Sequence, residues 1–251
     1  MKVPRALATA MLLVGVSACG ADGNATAAAA PARHGHVTGK AVDARGEPIA
    51  GARVLLDNTV FHASHMETTT AADGSYRLKM HPGAWLATAT FRKEYNGRTY
   101  QLELHPESPD AFDDDGAIRD FSWKLEGRSP LNEYRYYGGS IVVHAGNDFD
   151  GDMQAVRLAL VPAGPLIDGS EGTMLALRQG DRYWVQYGYI EDVPIGRYRV
   201  TAVLETGEGS RPLRIRNLHA KDGPQQELLL DFLPESDLSP GQNVAVIAIE
   251  H

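Results

Sequence analysis

Three stretches carry side chains whose types and spacing could do chemistry. Asp148-Phe149-Asp150-Gly151-Asp152 spaces three carboxylates at period two across a turn, so Asp148, Asp150 and Asp152 can be aimed at one hard cation such as calcium. The stretch departs from an EF-hand loop, with Met153 where that loop needs Gly and Ala159 where it needs the bidentate Glu. A solvated acidic turn that keeps strand ends from pairing is the alternative. In Tyr183-Trp184-Val185-Gln186-Tyr187-Gly188-Tyr189-Ile190, strand periodicity puts Tyr183, Tyr187 and Tyr189 on one face and Trp184 and Ile190 on the other. With Trp184 and Ile190 inward the tyrosines form an exposed strip suited to sugars or peptides; in the opposite orientation they line the core or a domain boundary. Tyr134, Tyr136 and Tyr137 extend either arrangement. His62 and His65 stand three apart and are followed by Glu67, so a helical turn would bring the imidazoles together. A third ligand and a Glu directly after the first His, which zinc peptidase chemistry asks for, are both missing, and two surface histidines on a loop are the alternative.

Nucleophilic catalysis finds no candidate. No Gly-x-Ser-x-Gly elbow and no phosphate-cradling Gly-rich loop occurs, and the chain has one cysteine, Cys19. An internal disulfide is therefore excluded, as is a thiolate metal site. Cys19 belongs to a leader: Lys2 and Arg5 supply a positive start, and Ala6 to Val16 an apolar run too short to span a bilayer. Val16-Ser17-Ala18-Cys19 resembles the bacterial lipobox, which implies a signal peptide over residues 1–18 and a lipid-modified Cys19. Gly20 rather than Asp follows, which favours the outer membrane in that setting. Residues 19–34 are rich in Ala and Gly and are expected to form a loose tether. The formal charge of −8, made more negative by loss of Lys2 and Arg5, argues against nucleic acid as a partner.

The elements that would position these residues are strands. Ala52, Val54 and Leu56 alternate, as do Tyr76 with Leu78 and Trp85, Ala87, Ala89 with Phe91. Turn formers separate them: Asp43 to Pro48, Asp73-Gly74, and Pro82-Gly83, which reads as a type II turn. Thr99 to Leu104 and Phe121 to Leu125 alternate in turn, and Gly127 to Gly139 reads as a connection. Beyond it, strands are expected at 155–161, 213–216, 227–232 and 244–249. Val193-Pro194-Ile195-Gly196 parallels the Pro82-Gly83 turn, and Gly83 to Ala89 aligns without gaps beside Gly196 to Ala202. No long stretch has helical periodicity, so the class is all-β.

Laid end to end, residues 39–83 read Gly-x-x-x-Asp-x-x-Gly-x-Pro-Ile-x-Gly-Ala-x-Val, then Asp-Gly-x-Tyr-x-Leu, then Pro-Gly. This resembles the carboxypeptidase regulatory-like family of transthyretin-like β-sandwiches, on Gly39, Asp43, Gly46, Pro48, Ile49, Gly51, Ala52, Val54, Asp73, Gly74, Tyr76, Leu78, Pro82 and Gly83. The resemblance implies a sandwich over residues 35–126, a linker over 127–139 and a second, diverged sandwich over 140–251. It implies an accessory module, not an active site. Two enzyme types of that fold fail on their own residues. Lys40 stands where the hydroxyisourate hydrolases need a first-strand His, and the only His-x-His, His34-Gly35-His36, lies too early for an intradiol iron site.

The expected function is that of a non-enzymatic, lipid-anchored envelope protein acting as a binding or scaffold module, without a cofactor unless calcium binds. Its partner would be a glycan, a peptide or another envelope protein. The alternatives are a hydrolase with a loop-built site and a structural spacer.

Overall fold

The computed structural model describes residues 33–178, 188–234 and 243–251. The first half is a sandwich of nine strands: β1 (His36–Val42), β2 (Arg53–Asn58), β3 (His65–Thr69), β4 (Ser75–Lys79), β5 (Trp85–Tyr95), β6 (Arg98–Glu103), β7 (His105–Pro106), β8 (Ala117–Ile118) and β9 (Phe121–Ser122). One sheet runs β4-β1-β9-β7, with β8 also on β1, and the other β3-β2-β5-β6. The alternation read from the sequence sets the inner face: Trp85, Ala87, Ala89 and Phe91 are buried, while Leu86, Thr88 and Thr90 point the other way and are half-buried. Trp123 closes the core edge-on to Phe91, with ring centroids 5.1 Å apart.

The second half contains β10 (Gly139–Ala145), β11 (Val156–Pro162), β12 (Leu175–Leu177), β13 (Tyr189–Val193), β14 (Arg197–Thr206), β15 (Gly209–Asn217), β16 (Glu227–Asp231) and β17 (Val244–Glu250). Its ladder is continuous, β12-β11-β14-β15-β17-β10-β13, with β16 alongside β14. Strand β15 makes the corner. Leu213 and the residues before it pair with β14, whereas Arg214 to Asn217 pair with β17, so one strand passes from one layer to the other.

The two halves repeat each other pairing by pairing. Strand β1 pairs antiparallel with β4 and parallel with β9; β10 pairs antiparallel with β13 and parallel with β17. The ladder β3-β2-β5-β6 has its counterpart in β12-β11-β14-β15. Register agrees too. Ala89 lies opposite Val54, and Ala202, its partner in the ungapped alignment, lies opposite Leu158. Similarity over seven residues thus reflects a shared position, the entrance to the long central strand of each sheet. The fold is all-β, as the sequence leads one to expect, and within the described residues no helix is long and apolar enough to cross a membrane.

Three local expectations change. Gly83 has φ of 151°, well away from the value near +80° of a type II turn, because the Trp85 indole donates back to the His81 carbonyl at 3.0 Å and a Cβ on Gly83 would lie 2.9 Å from the Asn58 amide. Gly196 needs no positive φ: a Cβ there would meet Leu166 at 2.7 Å and the Tyr198 ring at 3.1 Å, so Gly is required for close packing under the preceding loop. His65 opens strand β3 opposite Asp57 and no helical turn joins it to His62, while Glu67 pairs with Arg53 across the ladder at 2.5 Å.

Gly39 also serves a purpose other than turning. It lies within β1, and a Cβ would come to 1.9 Å from the Arg119 carbonyl oxygen and 2.8 Å from the Tyr76 ring. That vacancy lets the Tyr76 hydroxyl donate to the Arg119 carbonyl at 2.6 Å, and burial pushes the phenol's pKa upward, so it stays a donor. Gly39→Ala must displace backbone, and should cost about 3 kcal/mol in chemical denaturation, the upper end for overpacking. Gly46→Ala, at φ of 84° with open space around it, should cost only about 1 kcal/mol.

Candidate functional site

The halves meet because the β5–β6 hairpin overhangs the sheet that faces it. Strand β5 has eleven residues against seven in β1, so Tyr95 and Tyr100, on the inward face, extend past the core. The Tyr100 hydroxyl donates to the carbonyl of Phe232 at 2.7 Å, and the Arg98 guanidinium reaches the same oxygen at 3.3 Å. Burial, against the pull of Arg98, pushes the Tyr100 phenol up to about 12, so it remains a neutral donor. Tyr95 donates to the Pro165 carbonyl at 2.8 Å and accepts from the Arg197 backbone at 3.1 Å. Beside them Arg197 forms a two-pronged pair with Asp231, both contacts 2.8 Å.

The connection between the halves is a stapled arch. Arg128 bridges Tyr136 across it, the Ser129 amide donates to the Arg135 carbonyl, and the Tyr137 amide to Gly127. Asp192 holds its base: the carboxylate accepts from the Gly127 amide at 2.8 Å and the Gly138 amide at 3.1 Å, with Asp192 itself buried and at φ of 58°. The arch is pinned to the first half by Ser129, whose hydroxyl donates to Glu103 at 2.9 Å, by Arg135 at 3.7 Å from the same carboxylate, and by Tyr137, whose hydroxyl lies 3.0 Å from His105 Nδ1. Burial, reinforced by Lys124, lowers the His105 pKa, which favours the neutral ring beside Tyr137.

Between this arch and the outward face of β5–β6 lies a cleft of about 270 Å³. Thr88, Thr90, Gln101 and Glu103 form one wall; Asn132, Arg135 and Tyr136 form the other, and Asn243 reaches it from the second half. The lining offers a carboxylate, a guanidinium, amides and hydroxyls beside one aromatic ring, a set that can donate to and accept from a polyhydroxylated or peptidic ligand. Within the lining, the Arg135 guanidinium and the Glu103 carboxylate lie 3.7 Å apart.

The sequence-derived candidates fall elsewhere. Tyr183, Tyr187 and Trp184 lie outside the described residues, as does Cys19. Tyr189 begins β13 opposite Val142 and is half-buried, while Ile190 is fully buried. Gly188, just before Tyr189, has φ of 98°. Asp148, Asp150 and Asp152 are each engaged by protein groups. Asp148 lies 3.7 Å from Arg214, Asp150 bonds the His251 imidazole at 2.6 Å, and Asp152 accepts from the Gln154 amide as the cap of a short 3-10 turn, Met153–Ala155. The His251 hydrogen bond is the main cause lowering the Asp150 pKa. Among the described residues no group of three or more His, Asp and Glu side chains is arranged to hold a metal ion.

Of the cleft residues, the sequence foreshadows only Tyr136 and Tyr137. Thr88, Thr90, Gln101 and Glu103 are legible as outward positions, but which segment covers them depends on the arch. Asp192→Ala would leave two amides at the arch base without their acceptor, and should cost about 3 kcal/mol in urea denaturation. Asp192→Asn, which keeps one acceptor oxygen, should recover part of that loss.

Known proteins resemble this chain in different degrees. The TIE protein of Bacillus anthracis aligns at 10% identity and a TM-score of 0.33 over 87% of this chain and 34% of its own, so the present chain spans about a third of that protein. A DUF3823 family protein of Bacteroides ovatus gives 12% identity and 0.24 over 77% and 97% of the two chains. A single B repeat unit of the collagen binding surface protein of Staphylococcus aureus gives 10% and 0.25 over 87% and 98%. No curated protein matches. At the level of sequence families, residues 36–113, which hold the Asp43 to Pro48 turn, the Gly39 contact and the β5–β6 hairpin, match the carboxypeptidase regulatory-like domain.

Proposed function

We propose that this chain is a non-enzymatic binding module of a bacterial envelope, anchored by lipid at Cys19, whose junction cleft takes a glycan. The observation that carries the reading is the cleft itself, whose walls are fixed by the arch stapled to both sandwiches. A site whose walls are already in place loses little ordering entropy on binding. Planar polar side chains beside a tyrosine ring suit sugar hydroxyls, and a peptide is the competing ligand. The same locked junction favours a second role, in which the sandwiches hold a partner at a fixed distance from the membrane.

Two measurements test these statements. Cys19→Ser should move the protein from the membrane fraction to the soluble fraction of the envelope; sedimentation with membranes after a high-salt wash would contradict the anchor. On a panel of immobilised glycans and peptides, Gln101→Ala in the Cys19→Ser chain should weaken glycan binding by about tenfold, or about 1.4 kcal/mol. Its melting temperature should stay within the small range expected for an exposed residue. Absence of any retained glycan, or retention unaffected by Gln101→Ala, would leave the spacer role.

A further inference from the structure

The end of the first sandwich remote from the junction carries an exposed apolar tip. In the turn between β2 and β3, Val60 is 71% exposed and Phe61 67%. The turn is shaped to present them. The Asn58 side chain accepts from both their amides, at 2.9 and 2.8 Å, the Thr59 amide donates to the Ala84 carbonyl, and Ala63 holds φ of 56°. Two neighbouring large apolar side chains held outward on a bonded turn make a contact surface rather than a scattered exposed residue.

The chain's own path says what lies opposite. Arg33, the first described residue, sits at this same end: its carbonyl accepts from His36, and it packs on Gly116, where a Cβ would meet it at 2.3 Å. Gly35 donates to the Asp114 carbonyl, Phe112 exchanges backbone bonds with Trp85, and Trp85 lies opposite Asn58 at the base of the tip. The β5–β6 hairpin, at the other end of β5, is what docks on the second half. Cys19 is separated from Arg33 by thirteen residues, which in any conformation span at most about 50 Å. The chain that follows Cys19 therefore enters the fold at the end that carries the tip.

We propose that the Val60–Phe61 tip is a lipid contact that seats the anchored protein on its membrane with the junction cleft turned away. This rests on the lipid-anchor reading. Free in solution, two side chains would bind a bilayer only marginally, but tethering by a short linker raises the local concentration to the order of millimolar, where a weak contact is occupied. The contact is apolar. Asp113, Asp114 and Asp115 share this end of the fold and oppose attraction to anionic headgroups, so engagement should persist in high salt.

Cys19 carries the chain's only thiol, and lipidation consumes it, so H62C, next to the tip and leaving Val60 and Phe61 in place, offers one labelling point. An exposed position leaves no cavity when changed. The lipidated full chain, labelled there with an environment-sensitive dye, is reconstituted into vesicles of phosphatidylethanolamine and phosphatidylglycerol beside an L229C control on β16 of the second half. The expected result is a blue-shifted emission at position 62, quenched several-fold more than the control by spin-labelled lipid, with or without salt. Flotation with the vesicles but a water-like, unquenched signal at position 62 would overturn the lipid contact. So would a signal that becomes buried only when envelope proteins are added, which would assign the tip to a protein. Failure to float would instead remove the anchor, and the inference with it.

Discussion

The carbonyl of Phe232, capped by Tyr100 and Arg98, is the contact on which the arrangement of the two sandwiches depends. A buried carbonyl at the end of β16 needs a donor, and the first sandwich supplies it only because β5 and β6 outrun the opposite sheet. With Tyr95 against Pro165 and Arg197, the overhang fixes the second half at one end of β5 and leaves the other end open. Both the cleft and the exposed tip follow from that polarity. The cleft lies where the arch bends back over β6, and the tip lies where the chain arrives.

One scheme of strand pairing serves both halves of the chain. The strand pairings recur in the same order, and the long central strand of each half begins after a Gly, yet the two glycines solve different problems. Gly83 takes a backbone conformation that side chains disfavour, whereas Gly196 clears space for Leu166 and Tyr198. Gly39 likewise answers to Tyr76 and Arg119, not to a turn. A pattern can thus be kept while the physical demand behind it changes.

This limits what could be read from the sequence. Alternation at Trp85 to Phe91 revealed a strand with one buried face, because period two is local. It was silent on β10, where Ile141-Val142-Val143 is a continuous apolar run between two neighbours, and on β3, whose His65 and Glu67 read as ligands but serve as ladder positions. The carboxylates of Asp148 to Asp152 look free to converge on a cation by spacing, yet Arg214, His251 and the Gln154 amide occupy them, and those partners come mostly from distant segments. The cleft escaped notice for the same reason: Glu103 meets Ser129 and Arg135 only once Asp192 has closed the arch.

A permanent cleft requires the two sandwiches to move as one body. The distance between spin labels on T69C in β3 and L229C in β16, introduced into the Cys19→Ser chain, tests this directly by pulsed electron resonance. A single narrow distribution is predicted for the otherwise unaltered chain, broadened when Tyr100 is changed to Phe. A broad or two-peaked distribution before that change would show that the halves are not locked, and the account of the cleft would be contradicted.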